Sequence, residues 1–318
     1  MKKLECIIFD VDHGFCAFVK CPNDYGILID VGGKQRFSPV KYIRKKYCTI
    51  LKYFKKRRIS KMVVTHLHAD HFSDIGSLGG YEEPKILLRD KKTIKFIDQK
   101  IKNSKPDDSK VDTLKRFKKF QEKFKEDVET QPEWGFDGFK SFQIPYKLAE
   151  EASSSDEKII NNRSFVSVLE YAGKKILFPG DIEVEGWEKF FENDSRKKLI
   201  ENINFFIASH HGHKSGFSSK ILDYTGKPDL FIVSAKSGDE HIDSSYSQED
   251  NSIGHPVKNE KNTPKMISTR QKHKSIKVTI FETGKTEVEF IDTPDNLNPN
   301  QAKLRSRKTA QMTKGWGR

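Results

Sequence analysis

Residues 63–72 read VVTHLHADHF. An apolar, β-branched run ends at Thr65. His66, His68, Asp70 and His71 then follow within six positions, in a 318-residue chain that holds only ten histidines. In an extended segment side chains two apart point the same way, so His66 and His68 aim at one point beyond the end of a strand. Asp70 and His71 come where the chain turns. Imidazole and carboxylate together suit zinc, manganese or iron. A single histidine is more often a packed core residue; four ligand-type residues at this spacing form a metal-binding pattern.

Other segments repeat the arrangement. No histidine occurs between His71 and His210, and then ASHHGHKSG (208–216) brings His210, His211 and His213 to the end of another apolar run. Asp181 closes a third such run in LFPGD (177–181). Three predicted strands thus end in ligand-type residues, which is how one edge of a sheet builds a site.

Around these ends the pattern alternates between strand and helix. LECIIFDVDHGFCAFVKC (4–21) and ILIDVGG (27–33) read as a strand pair across the turn PNDYG. SPVKYIRKKYCTILKYFKKRRIS (38–60) spaces Val40, Ile43, Tyr47, Ile50, Leu51 and Phe54 as a helix, with Ser38 and Pro39 at its start. KMVVT is a strand, ADHFSDIGSLGG (69–80) reads as a helix closed by glycines, and KILLR is a strand. Further strands are expected at FKSFQIPY, in a hairpin SFVSVLEYAGKKILFPGD turning at Ala172–Gly173, at INFFIASHHG and PDLFIVSA, and in a last hairpin SIKVTIFETGKTEVEFID. EVEGWEKFFEN reads as a helix, and residues 239–265 as a polar loop. The fold class expected is α/β: two sheets face to face with helices outside, a four-layer αβ/βα sandwich. The domain runs over 1–293 with a lysine-rich helical insertion at about 91–150. Residues 294–318, with six basic and no acidic residues after position 300, read as a disordered tail.

Within the insertion, TLKRFKKFQEKF puts Leu114, Phe117, Phe120 and Phe124 on one helical face and bases on the other. One reading is an amphipathic helix on the core with a solvated lysine face; the sharper one is a lid or arm for substrate. The formal charge of +13 favours a polyanionic partner, since each lysine or arginine that neutralises a phosphate releases a counterion. A merely solvated lysine-rich surface is the alternative. The four cysteines, Cys6, Cys16, Cys21 and Cys48, form no C-x-x-C pair and read as thiols of a reducing compartment. The start is too charged for a signal segment and no apolar run is long enough to span a bilayer, so a cytoplasmic protein without membrane contact is expected.

THLHADH with a downstream GD resembles the metallo-β-lactamase superfamily, whose fold is an αβ/βα sandwich with a metal site at one edge. FDVDHGFCAFVKCPNDYGILIDVGG, NNRSFVSVLEYAGKKILFPGDIEVEGWEKFF, FFIASHHGHKSG and IGHP are together similar to the hydrolase domain of ComEC-type DNA-uptake proteins. The similarity covers roughly residues 4–90 and 160–290. It implies two divalent metal ions, zinc or manganese, with His66 and His68 holding one, Asp70 and His71 the other, and Asp181 between them. Asp30 matches an aspartate that orients a metal-bound histidine from behind. HHG matches a position where one histidine is a ligand. Either His210 or His211 could fill it, and His210 is favoured.

This chain departs from the pattern twice. Many members place a further histidine ligand before the GD strand; here Asn162 or Ser164 of NNRS would stand in that place. Phe15 stands where the ComEC-type GQGD run has an aspartate, and His13 beside it is an unassigned candidate for the rim. The candidate catalytic set is Asp70, His213, Lys214 and His255, the last three as groups that could meet phosphate or assist the leaving oxygen. His213 could equally be a loop residue in solvent.

Two cations about 3.5–4 Å apart can hold a bridging hydroxide at neutral pH and screen an oxyanion transition state. The activity expected is therefore metal-dependent phosphodiester cleavage of nucleic acid, DNA first, with a partner protein conceivable. Two other readings stand beside it. One is a small-molecule ester, lactone or cyclic-nucleotide hydrolase of the same fold. The other is a non-catalytic nucleic-acid-binding subunit.

Overall fold

Alternation along the strands decides how the layers form. In the computed structural model, which describes residues 1–48, 59–79, 83–105, 108–124, 136–236 and 242–293, thirteen strands make two sheets among the described residues. The first sheet has β1 (Lys3–Ile8), β2 (Ala17–Lys20), β3 (Gly26–Ile29), β4 (Ile59–Val63) and β5 (Ile86–Leu88). The second has β6 (Phe139–Phe142), β7 (Val166–Tyr171), β8 (Lys174–Phe178), β9 (Phe205–Ile207), β10 (Leu230–Val233) and β11 (Met266–Ser268). A closing hairpin, β12 (Ser275–Phe281) and β13 (Thr286–Ile291), returns to the first sheet, whose order is β13-β12-β1-β2-β3-β4-β5. The second runs β11-β10-β9-β8-β7-β6.

Successive residues of a strand face opposite sides, and the core follows that period. On β9 and β10, Phe205, Ile207, Leu230 and Ile232 join the layer between the sheets, together with Cys6, Ile8, Ile27 and Ile29 of the first sheet. Phe206, Phe231 and Val233 face the other way, onto Trp187 and Phe190. Ile7, Leu28 and Met62 face the outer layer of the first sheet. The expected αβ/βα sandwich is the observed one.

Helices cover both outer faces. α1 (Pro39–Ile43), α2 (Ile94–Asn103) and α3 (Ser109–Gln121) lie on the first sheet. α4 (Tyr146–Glu151) and α5 (Asp156–Asn162) lead into the second sheet, and α6 (Val184–Phe190), α7 (Asp194–Leu199), α8 (Lys220–Thr225) and α9 (Thr269–Lys272) complete the set. α3 buries Leu114, Phe117 and Phe120, and Phe117 stacks on Phe72 with ring centroids 4.3 Å apart. The lysine-rich helix is therefore a buttress behind the HADH segment, not a lid across it.

Three expectations change. Residues 4–21 are two antiparallel strands, β1 and β2, because Asp12 (φ 60°) and Gly14 (φ 122°) turn the chain back between them. Residues 69–80 form no continuous helix; single 3-10 turns at Ala69–His71 and Ile75–Ser77 are interrupted by Phe72 in an extended-φ conformation. The helix expected over 38–60 begins as read, with the Ser38 hydroxyl capping Lys41 N, but passes at Arg44 into a π-turn to Cys48; residues 49–58 lie outside the described residues. The tail expected at 294–318 lies outside them too. Cys6, Cys16 and Cys21 are buried free thiols. No helix of the described residues is long and apolar enough to cross a membrane.

A buried ion pair seats the NNRS segment. Arg163 donates through Nε and Nη2 to both oxygens of Asp90, at 2.8 and 2.7 Å, with both side chains out of solvent. Removing either partner would strand a buried charge, a loss of about 3–5 kcal/mol. The fork fixes residues 161–164 beneath the loop that carries Asp181, whose N–H donates to Ser164 Oγ at 3.0 Å.

Candidate metal centre

The parallel strands β4, β8, β9 and β10 end at the same edge, and the loops that leave them converge there. Phe165 N donates to Thr65 O at 2.9 Å, which joins the two sheets at this edge, and His210 N to Gly180 O at 3.2 Å, which joins the loops after β9 and β8. Gly14 is packed so tightly on this edge that a Cβ there would lie 2.5 Å from Asp70 O. Only glycine fits.

Six donor atoms face one another at this edge. Asp181 Oδ2 lies 3.6 Å from His66 Nε2, 3.4 Å from His71 Nε2 and 3.4 Å from His211 Nε2. Asp70 Oδ2 is 3.7 Å from both His71 Nε2 and His211 Nε2. His68 Nδ1 is 3.1 Å from His66 Nε2. Two ligands on one zinc at tetrahedral angles and bond lengths of about 2.1 Å sit about 3.4 Å apart, so these separations fit shared ions. The sets His66, His71, Asp181 and Asp70, His71, His211 each bring their donor atoms within 4.8 Å of one another.

The outward side of each ring explains why the inward nitrogen is available. His71 Nδ1 is 2.7 Å from Asp30 Oδ2; a carboxylate only accepts, so the proton sits on Nδ1 and Nε2 keeps its lone pair. The Thr65 hydroxyl donates to Asp30 Oδ2 at 2.7 Å, so toward His66 Nδ1, 3.1 Å away, it can only accept. His66 Nε2 is then the lone-pair nitrogen. His211 Nδ1 faces the Ser234 carbonyl at 3.3 Å. His68 Nε2 lies 2.6 Å from Glu157 Oε2, which leaves Nδ1 facing His66. All four imidazoles are set to ligate, which is the chemistry a divalent ion requires.

Electrostatics point the same way. Burial opposes ionisation of Asp181, yet His211, His71 and His66 outweigh it and hold the carboxyl well below its ordinary range. Burial disfavours a charged His71, but Asp181, Asp30 and Asp70 outweigh it and raise the ring well above its usual value. Burial, then His71 and His68, push His66 well below, against the pull of Asp181. Burial raises Asp30 despite the bonds from His71 and Thr65. The carboxylates of Asp181, Asp70 and Asp30 thus favour a cation at His71, whether a proton or a metal ion.

The structure separates the other candidates. His210 and His211 are both left-handed (φ 49° and 56°), a strained pair whose side chains diverge. His211 turns inward, whereas His210 Nδ1 meets Ser215 Oγ at 2.8 Å and lies 3.9 Å from Glu183. The preference for His210 is thus corrected to His211. Asn162 is fully buried with its amide engaged by Glu183 N, Ala152 O and Ser153 Oγ, so it does not reach the cluster. Ser164 braces the Asp181 backbone instead of facing the donors. His255 is misplaced by the sequence reading: it bonds Pro256 O and Thr286 Oγ1 and packs on Phe205, at the entry end of β9, a strand length from the site. His213 keeps its Nδ1 with Ser215, and Lys214 beside it is exposed. His13 stands at the rim, Nε2 3.9 Å from Asp70 Oδ2 and its ring 5.1 Å from that of His211.

Two groups escaped the sequence reading. Glu157, in the first turn of α5, holds His68 from outside and has its carboxyl pushed down to about 2 by that hydrogen bond, against partial burial and with help from Lys100. Asn161 is buried, donates to Glu183 Oε1 at 2.9 Å and leaves its own Oδ1 without a hydrogen-bond partner. Neither shows any local sequence signal.

The description of the metallo-beta-lactamase superfamily matches residues 9–235. Among solved structures the chain is similar to the hydrolase AbOPH of the beta lactamase superfamily, at 16% identity over 52% of this chain and 55% of that one, with a TM-score of 0.30. It thus spans about half of that protein's length. It is also similar to a Thermotoga maritima protein assigned to the metallo-beta-lactamases, at 15% identity over 74% of this chain and 98% of that one, with a TM-score of 0.40. No curated protein matches it. With well over half of its residues inside the family match, and the donor cluster within that span, the chain belongs to the metallo-beta-lactamase superfamily of metal-dependent hydrolases.

Proposed function

We propose that this chain is a metal-dependent phosphodiesterase that cleaves nucleic acid, DNA first, and that it belongs to the ComEC-type branch. Two divalent ions, zinc or manganese, would be held side by side. His66 Nε2 and His68 Nδ1 would hold one; Asp70, His71 Nε2 and His211 Nε2 would hold the other; Asp181 would serve both. Bound cations would supply Lewis acidity and make water a nucleophile at neutral pH. Asp30, Thr65 and Ser234 keep the rings in the required tautomers. His13, beside Asp70 and His211, and the exposed Lys214 are the groups that phosphate oxygens would meet.

One observation supports a polyanion over a small ester. The lysine-rich helices are built onto the donor loop itself: Phe117 of α3 stacks on Phe72, next to His71, and Lys100 of α2 reaches Glu157 beside His68. The lysine-rich segment is thereby joined to the donor loop, in a chain whose net charge of +13 favours a polyanionic substrate. Backbone contacts of this kind are sequence-independent.

The test is cleavage of end-labelled single-stranded DNA, duplex DNA and RNA with added manganese, zinc or magnesium, beside an Asp70→Ala/His71→Ala protein. Metal-dependent cutting lost in the variant, and falling steeply with added salt, supports the proposal. If no polymer is cut with any metal, the nuclease reading is wrong. Salt-insensitive turnover of small esters or cyclic nucleotides would replace it.

A further inference from the structure

We propose that Glu157 is a positioning residue for His68, holding the ring in the tautomer whose Nδ1 faces His66, and that Lys100 of the lysine-rich segment fixes Glu157 in turn. The inference rests on reading these donors as a metal site.

His68 differs from the other three rings. Thr65, Asp30 and Ser234, the partners of His66, His71 and His211 in that order, are buried groups at the strand ends. His68 is less enclosed, its side chain 19% exposed, and its outward nitrogen meets a carboxylate from a helix 89 residues further along the chain. The contact at 2.6 Å joins a ring N–H to an acceptor with no proton to give, so it selects one of two tautomers and one ring orientation. It also raises the basicity of the inward nitrogen.

The carboxylate is itself held. Lys100 Nζ lies 2.9 Å from Oε1 and 3.0 Å from Oε2 of Glu157. α5 starts at a Ser155 cap and buries Ile159 and Ile160, which anchors the turn that carries Glu157. As a stability device the Lys100–Glu157 pair is weak, because both side chains are well exposed (34% and 58%) and such pairs contribute little. Its effect is instead on where Glu157 Oε2 sits. A segment that would lie against a polyanion thus extends, by one side chain, to the back of a metal donor.

The test compares wild type with Glu157→Ala, Glu157→Gln and Lys100→Met. Long-range 1H–15N spectra of the metal-free proteins report the His68 tautomer. Calorimetric titration with Zn2+ reports each affinity, assigned with His68→Ala and His211→Ala proteins, and melting temperatures check folding. We expect the Nε2–H tautomer in wild type and a mixture in Glu157→Ala. That variant should bind the His66–His68 ion about 10- to 100-fold more weakly, with the other ion unaffected. Glu157→Gln, which still accepts from Nε2–H, should keep the tautomer and lose less; Lys100→Met should lose least. Unchanged tautomer and affinities in Glu157→Ala overturn the inference while leaving the metal site intact. Equal losses at both ions, tracking a lower melting temperature, overturn it as well. A wild-type protein that takes up no Zn2+ sinks the metal reading, and this inference with it.

Discussion

The two halves of the donor cluster are unequal. Around His71 and His211 four donors converge, two imidazoles and the carboxylates of Asp70 and Asp181, and they come from both sheets. Around His66 and His68 there are two imidazoles and the shared Asp181, and of the two residues expected to stand for a further histidine, Asn162 is turned away and Ser164 bonds the Asp181 backbone. The first set is complete for a tetrahedral ion, the second is not. On the two-ion reading proposed above, the site would keep the family's motif and hold its ions with different strength.

The largest effect should come from the donor the two halves share. Asp181→Ala should abolish tight binding of both ions and lower hydrolysis by at least about a hundredfold, more than the removal of an outer partner would; metal content by mass spectrometry and turnover check it. Equal binding in the variant would break the idea of a shared donor. Next, His211→Ala should lose the ion of the fuller half while His210→Ala keeps both, read by the same titration. Should His210→Ala be the damaging change, the inward turn of His211 has been misread.

A milder challenge separates the halves without mutation. Dialysis against a chelator of moderate strength should strip the His66–His68 ion first and leave roughly one ion per chain. Loss of both in step would erase the difference between them. The smallest effect concerns pH. The Glu157 carboxyl is held at about 2 by its hydrogen bond from His68, against partial burial and helped by Lys100, below an ordinary glutamate. A depressed carboxylate stabilises the fold above the unfolded value of about 4.3, and this contribution is lost as pH falls through about 2. The group is more than half exposed, so the amount is at most about 1 kcal/mol. Wild type should melt slightly above Glu157→Gln at pH 6, and the gap should close toward pH 2.

What the sequence reveals and hides follows from the range of each signal. His66, His68, Asp70 and His71 are legible because their geometry is local: one strand end and one turn. The layers are legible because short aromatic and β-branched runs such as FFI (205–207) read as strands buried on both faces. His210 and His211 cannot be told apart from sequence, since their divergence comes from two consecutive left-handed residues. ADHFSDIGSLGG has helical spacing, yet packing of Phe72 onto Phe117 and of Gly14 onto Asp70 breaks it into single turns. Glu157 is hidden because only the fold brings a solvated helix turn to His68. His255 misled because a polar motif near a strand does not say which end of the strand it occupies.

The pairing of β1 with β12 joins residues 3–8 to residues 275–281. During synthesis at about 5–20 residues per second, β1 waits on the order of 15–50 seconds for its neighbour. Every donor named here is already made by then, but one side of an apolar strand, KLECII, stands open as a template for other chains. A chain ended at residue 235, where the family match stops, would carry the whole donor set and never close that edge. It should be made in quantity and recovered as aggregate, with adding back residues 236–293 restoring a protein that stays in solution.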